Sequence, residues 1–201
     1  MIKNIIFDFG DVFINLDKQI IFREMEKFGG ELTLTPELLQ LNNQYEVGKI
    51  TSDEFLSGLA EVYPQASKEQ IKNIWNGMLL DFPEERLQFI EKISQEGNYR
   101  TFLLSNTNAL HIEHVEKIMG TEKYHRFQNS FEKFYLSHEI NLRKPNAEIY
   151  QFVLDQNNLV AEETFFIDDT KENTDAATEL GIHCWNMQVG KETILELNSK
   201  L

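Results

Sequence analysis

Cysteine is almost missing from this chain of 201 residues: there is one, Cys184. A lone thiol closes no internal disulfide, so the fold must rest on packing, and a reducing cytoplasm is the expected setting. Cations are scarce as well, 19 Lys and Arg against 33 Asp and Glu, for a net charge of −14. With no basic stripe to neutralise a run of phosphates, general binding to nucleic acid or to an anionic membrane is excluded. A small phosphorylated ligand, which needs only one or two cations, is not. No apolar run approaches the ~18 residues of a membrane span. The N-terminal run is too short for a signal sequence and contains Asp8 and Asp11. Neither an internal repeat nor a low-complexity linker is present, and nothing marks the oligomeric state. The length suits one substantial core with room for a small accessory domain.

What is present begins with two apolar strands that end in acid. Ile5-Ile6-Phe7 runs into Asp8-Phe9-Gly10-Asp11-Val12, and Phe165-Phe166-Ile167 runs into Asp168-Asp169. Uninterrupted apolar runs suit strands buried on both faces of a parallel sheet. Further strands are expected at 100–104, 131–136 and 183–187, separated by helices over 83–96, 109–119, 145–156 and 171–180. That alternation predicts βαβ units under helical cover. The stretch 17–80 differs, with helical periodicity and no convincing strand. Its helices are expected at Ile20–Phe28, stopped by Gly29-Gly30, and from Thr35-Pro36, Ser52-Asp53-Glu54 and Ser67-Lys68-Glu69-Gln70, the last a capping box. It reads as a helical bundle inserted after the first strand.

Ligands of parallel sheets lie beyond the carboxyl ends of the strands. Four segments converge there. Asp8 ends the first strand, with Gly10 and Asp11 behind it. Ser105-Asn106-Thr107-Asn108 follows the second, and can either cap a helix or offer a hydroxyl and N–H groups to a phosphate. Arg143-Lys144-Pro145 precedes a helix, where Pro145 fixes the backbone and can aim Lys144 inward. Asp168 and Asp169 end a fourth strand, with Asn173 and Asp175 beyond. Adjacent carboxylates repel unless a cation lies between them, and a hard divalent ion such as Mg²⁺ meets that need. His111 and His114, three apart on one helix, lack further donors nearby and read as surface residues. Cys184 reads as packing.

In order and spacing these segments closely resemble the four motifs of the haloacid dehalogenase-like hydrolase superfamily, over essentially the whole chain. The resemblance implies an α/β fold with a Rossmann-like parallel core, residues 1–15 and 82–201, and an inserted helical cap, residues 16–81. It implies that Asp8 is the nucleophile, that Ser105 and the backbone of Asn106 bind the phosphoryl group, and that Lys144 neutralises it. Asp8, the Gly10 carbonyl, Asp168 and Asp169 would hold Mg²⁺. The expected activity is hydrolysis of a small phosphorylated metabolite through an aspartyl phosphate. Most phosphatases of this superfamily carry a second aspartate where this chain has Gly10. The Asp-x-Gly-x-Val pattern, with Glu46-x-Gly48-x-Ile50, is similar to the sugar-1-phosphate phosphatases, so a hexose 1-phosphate is the plausible substrate. Asp11 is expected either to take over part of the missing proton transfer or only to cap a loop. Tyr45, Glu46 and Lys49, with Trp75 and Asn76, are the candidates for substrate contacts from the cap; Trp75 suits a core anchor better. A 2-haloacid dehalogenase and a non-catalytic phosphoacceptor module are the alternatives.

Overall fold

The structure, a computed structural model, describes residues 1–29 and 35–201; Gly30 of the expected helix stop lies outside the described residues. Strands β1 (Asn4–Phe7), β2 (Arg100–Ser105), β3 (Lys133–Leu136), β4 (Thr164–Asp168) and β5 (His183–Asn186) pair in parallel in the order β3-β2-β1-β4-β5. The chain builds outward from central β1 through β2 and β3, then crosses back for β4 and β5. This reversal puts a topological switch between β1 and β4, where such sheets take ligands. Phe7 is in register with both Leu103 and Ile167, so Asp8 and Asp168 emerge at the same level.

Four helices follow β1: α1 (Ile20–Met25), α2 (Pro36–Glu46), α3 (Ser52–Val62) and α4 (Lys68–Asn76). Then come α5 (Glu84–Glu96), α6 (Ala109–Met119), α7 (Thr121–Gln128), α8 (Ser137–Ile140), α9 (Ala147–Asn157) and α10 (Lys171–Glu179). The apolar strands divide by alternation. Ile5, Phe7, Leu103, Phe165 and Ile167 face a Phe-rich cluster shared with α5 and α7, while Ile6, Phe102, Leu104 and Phe166 face α9 and α10. Each fully buried large side chain contributes roughly 1.5–3 kcal/mol, so both faces of the sheet are anchored. None of the described helices is long and apolar enough to cross a membrane.

The inserted helices have a core of their own, with Met25, Tyr45, Phe55, Leu56, Leu59 and Ile71 at its centre, and α6 lends it Leu110. The segments leading in and out pair antiparallel: Asn15 N–H donates to Asp81, Leu80 N–H to Asn15, and Asp17 N–H to Met78. Capping boxes start α3 at Thr51, one residue ahead of the expected Ser52, and α4 at Ser67. Helix α7 has no counterpart in the sequence expectation. It buries only Tyr124 and Phe127, too few apolar positions to show a helical period.

Candidate active site

The sheet register delivers the site. Asp8 leaves β1, with its N–H bonded to the Ile167 carbonyl, and Asp168 closes β4 beside it. Lys144 reaches between them from the loop before α9. Its Nζ lies 2.7 Å from Asp8 Oδ1, 2.6 Å from Asp168 Oδ2 and 2.9 Å from the Leu104 carbonyl, and the side chain is 1% exposed. All three ammonium donors are therefore used. Burial works against the charge on Lys144, but Asp168 and Asp8 outweigh it and hold the ammonium above its ordinary range. Asp168 is held further by the Thr170 N–H at 2.8 Å and by the Asn173 amide at 3.0 and 3.1 Å. Asn173 thus belongs to the site. Asp175 does not; it is exposed and paired with Lys171.

One carboxylate oxygen from each of Asp8, Asp168 and Asp169 lies within 4.8 Å of the others. Burial pushes the Asp8 carboxyl up to about 7; Lys144 pulls against this, and Asp168 and Asp169 add to it. Asp169 is raised too, by burial first, with Lys18 opposing. Beside this burial, the site is short of positive charge. Four aspartates, Asp8, Asp11, Asp168 and Asp169, are touched by two ammonium groups, Lys144 and Lys18. Two negative charges stay uncompensated, the charge of one divalent cation, and the donors are the hard oxygens that Mg²⁺ takes. The residues fit such an ion.

Lys18 was not anticipated. Its Nζ lies 2.8 Å from both Asp11 Oδ2 and Asp169 Oδ2. The other oxygen of Asp11 accepts from Leu16 N–H at 3.1 Å, so both are engaged. Asp11 sits in the left-handed region, φ 56°, which turns the chain out of β1. Gly10 is crowded: a Cβ there would lie 2.8 Å from Leu16 Cδ1 and 4.0 Å from Asp8 Oδ2. Position 10 therefore borders the site, and no side chain enters from it.

Ser105 is buried at the end of β2. The Asn106 side chain has a second task that the sequence did not disclose. Its amide donates to the Lys144 carbonyl and accepts from the Lys144 N–H, both at 2.9 Å, fixing the backbone that aims Lys144. Glu46 pairs with Arg143 at 2.9 Å, and its carbonyl accepts from Ser137 Oγ at 2.6 Å. Tyr45 is buried in the core of the inserted helices, its hydroxyl bonded to Ser52 and to Leu110 N–H. Lys49 is exposed and lines a cleft of about 720 Å³ with Asn43, Asn141 and Arg143. Trp75 packs against the inserted core, 4.8 Å from Phe55, and Asn76 is buried with its Oδ1 unpartnered. His111 corrects the surface reading. It is 5% exposed, stacked on Trp75, with Nε2 donating to the Trp75 carbonyl and Nδ1 accepting from Asn108. His114 is half-buried. Three-residue spacing on a helix cannot reveal that another helix covers it.

A parallel sheet thus gathers three carboxylates and a buried lysine at its switch point, a site of the α/β class suited to a metal and a phosphoryl group. The haloacid dehalogenase-like hydrolase model matches residues 5–187, and the chain belongs to that family. Its sequence is 28% identical over 204 residues to D-ribitol-5-phosphate phosphatase of Bacteroides thetaiotaomicron, across 98% of this chain and 97% of that one. The crystal structure of a family enzyme from Bacteroides thetaiotaomicron, in complex with magnesium and inorganic phosphate, matches with a TM-score of 0.79. It is 35% identical, and the match covers 96% of this chain and 97% of that one. A predicted hydrolase of the family from Porphyromonas gingivalis matches with a TM-score of 0.81 at 28% identity, over 99% and 97% of the two chains.

Proposed function

We propose that this chain is a Mg²⁺-dependent phosphatase of a small phosphorylated metabolite, a sugar or sugar-alcohol phosphate, with residues 16–81 acting as a cap over the site. The observation that carries the reading is the meeting of Asp8, Asp168 and Asp169 within 4.8 Å, with Lys144 buried among them. Asp8, Asp168, Asp169 and the Gly10 carbonyl would hold the ion. Bound there, Mg²⁺ offsets the repulsion between carboxylate and phosphate and stabilises charge on the transferring oxygens.

Asp8 supplies the nucleophilic oxygen. It forms a bond to phosphorus as the ester oxygen leaves, and water then hydrolyses the acyl phosphate and restores Asp8. Lys144, fixed by Asn106 and Asp168, cannot swing away, so its charge is in place before the phosphoryl group arrives. Ser105 and the Asn106 N–H bind phosphoryl oxygens. The leaving oxygen needs a proton, help typically worth ~10²–10⁴-fold. Gly10 offers none. Asp11 can take part only when Lys18 moves off it.

That gap favours better leaving groups, such as the anomeric oxygen of a hexose 1-phosphate, whereas the ribitol-5-phosphate relative favours a primary phosphate. Phosphate release from D-ribitol 5-phosphate, hexose 1-phosphates and p-nitrophenyl phosphate decides between them. Turnover should require Mg²⁺, stop with EDTA and vanish in Asp8→Asn. Halide release from a 2-haloacid without metal would instead establish a dehalogenase, and stable labelling without turnover a phosphoacceptor.

A further inference from the structure

Lys18 stands in an unusual place for a half-exposed lysine. It lies on the segment that leads into α1, one residue after Asp17, which pairs with Arg23 at 2.8 Å and bonds through its N–H to Met78. From there its side chain, 50% exposed, reaches back to the carboxyl ends of β1 and β4 and bridges Asp11 and Asp169 at 2.8 Å each. Those carboxylates outweigh the cost of partial burial and hold Lys18 as an ammonium. Asp169 also belongs to the carboxylate trio. One carboxylate is thus claimed from two sides, by an ammonium fixed to the inserted helices and by the divalent ion that the trio fits.

We propose that Lys18 is a positioning residue that competes with the divalent cation for Asp169, so that binding of the ion and the Lys18 bridge weaken one another. The inference rests on the metal reading of the trio. Its physical basis is reciprocity: if a bound dication loosens the bridge, the bridge must weaken the dication by the same factor. The sign follows from charge. A cation 2.8 Å from an oxygen of a ligand carboxylate withdraws the electron density a metal would use, and it repels the metal itself. The consequence reaches beyond the site. Lys18 ties the start of α1 to the acid pair, so loading the ion slackens a tether of the inserted helices.

The test is calorimetric titration of the whole protein with Mg²⁺ alone, without substrate, on the unaltered chain and on Lys18→Met, Lys18→Gln, Lys18→Arg and Asp169→Asn. Removing the charge in Lys18→Met or Lys18→Gln should tighten Mg²⁺ binding. The gain should be roughly 5- to 20-fold, the lower part of the range for such couplings, because the side chain is half solvated. Lys18→Arg, which keeps the charge, should bind like the unaltered chain. Lys18→Gln serves if Lys18→Met does not fold. Equal or weaker binding by the uncharged variants overturns the proposal, as does tightening in Lys18→Arg as large as theirs. If the unaltered chain binds no Mg²⁺, the metal reading itself falls and this inference falls with it. Loss of binding in Asp169→Asn supports the first premise independently of Lys18.

Discussion

A buried ammonium between two carboxylates is tolerable only while all three charges stay, because each is solvated by the others. Lys144 therefore has a test in stability as well as activity. In Lys144→Met, Asp8 and Asp168 face each other without a cation, which for a broken buried pair costs ~3–5 kcal/mol. The Asp8 carboxyl, already pushed up by burial, then rises further. A folded-state acid with a raised value binds more protons than the unfolded chain, so its stability contribution is kept at low pH and lost as pH climbs. The variant should be inactive, and its thermal midpoint should recover relative to the unaltered chain as pH falls from above 7 towards 4. A midpoint equal to the unaltered chain at both ends would show that Lys144 is not the counter-ion. Asp8, Lys144 and Asp168 could be read from the sequence because each stands at a strand end or before a proline. Lys18 and the Asn106 clamp could not, since a long side chain's target depends on where the chain has folded back to.

At the scale of elements, the turn after α2 docks the inserted helices on the core. Ser137 Oγ donates to the Glu46 carbonyl, the Asn141 amide to the Val47 carbonyl at 2.8 Å, and Arg143 pairs with Glu46. Gly48 makes this approach possible. Its φ is 66°, and a Cβ there would lie 2.1 Å from the His138 carbonyl oxygen. Gly97 gives the control, with φ 64° and nothing within 4 Å of a Cβ. Both Ala variants carry the left-handed cost of ~1–2 kcal/mol. Gly48→Ala must also push backbone aside and should be the less stable by a further ~1 kcal/mol or more, the usual minimum for overpacking. It should also raise KM more than it lowers kcat, because the contact positions the inserted helices and not Asp8. Equal melting curves for the two variants would mean that the turn does not bear on the core. The sequence showed the elements by their periods and caps, but not their docking. Glu46 was legible as an acid near a glycine, whereas its partner Arg143 lies 97 residues away.

Over the whole molecule, the strand–helix alternation was enough to foresee a parallel sheet with a helical insert, because buried strands and amphipathic helices carry different periods. How the two parts join was not, and His111 is where they join. It sits on α6 beside Leu110, which enters the inserted core, and its ring lies under Trp75 of α4. Burial pushes His111 down from its ordinary value of 6.5 to about 4. A base depressed by folding is neutral in the native state and takes a proton on unfolding, so the unfolded chain binds more protons between those values. Stability from this group is complete above about 6.5 and drains away as pH falls towards 4, by up to a few kcal/mol. His111→Gln keeps a donor and an acceptor but has no charge to gain. Asp8 works in the opposite direction over the whole of that window, yet it is common to both proteins and cancels in their difference. Urea unfolding across the window should therefore show a steeper acid loss in the unaltered chain than in His111→Gln. Equal slopes would mean that His111 meets solvent, and that the inserted helices sit less tightly on α6 than the stack on Trp75 requires.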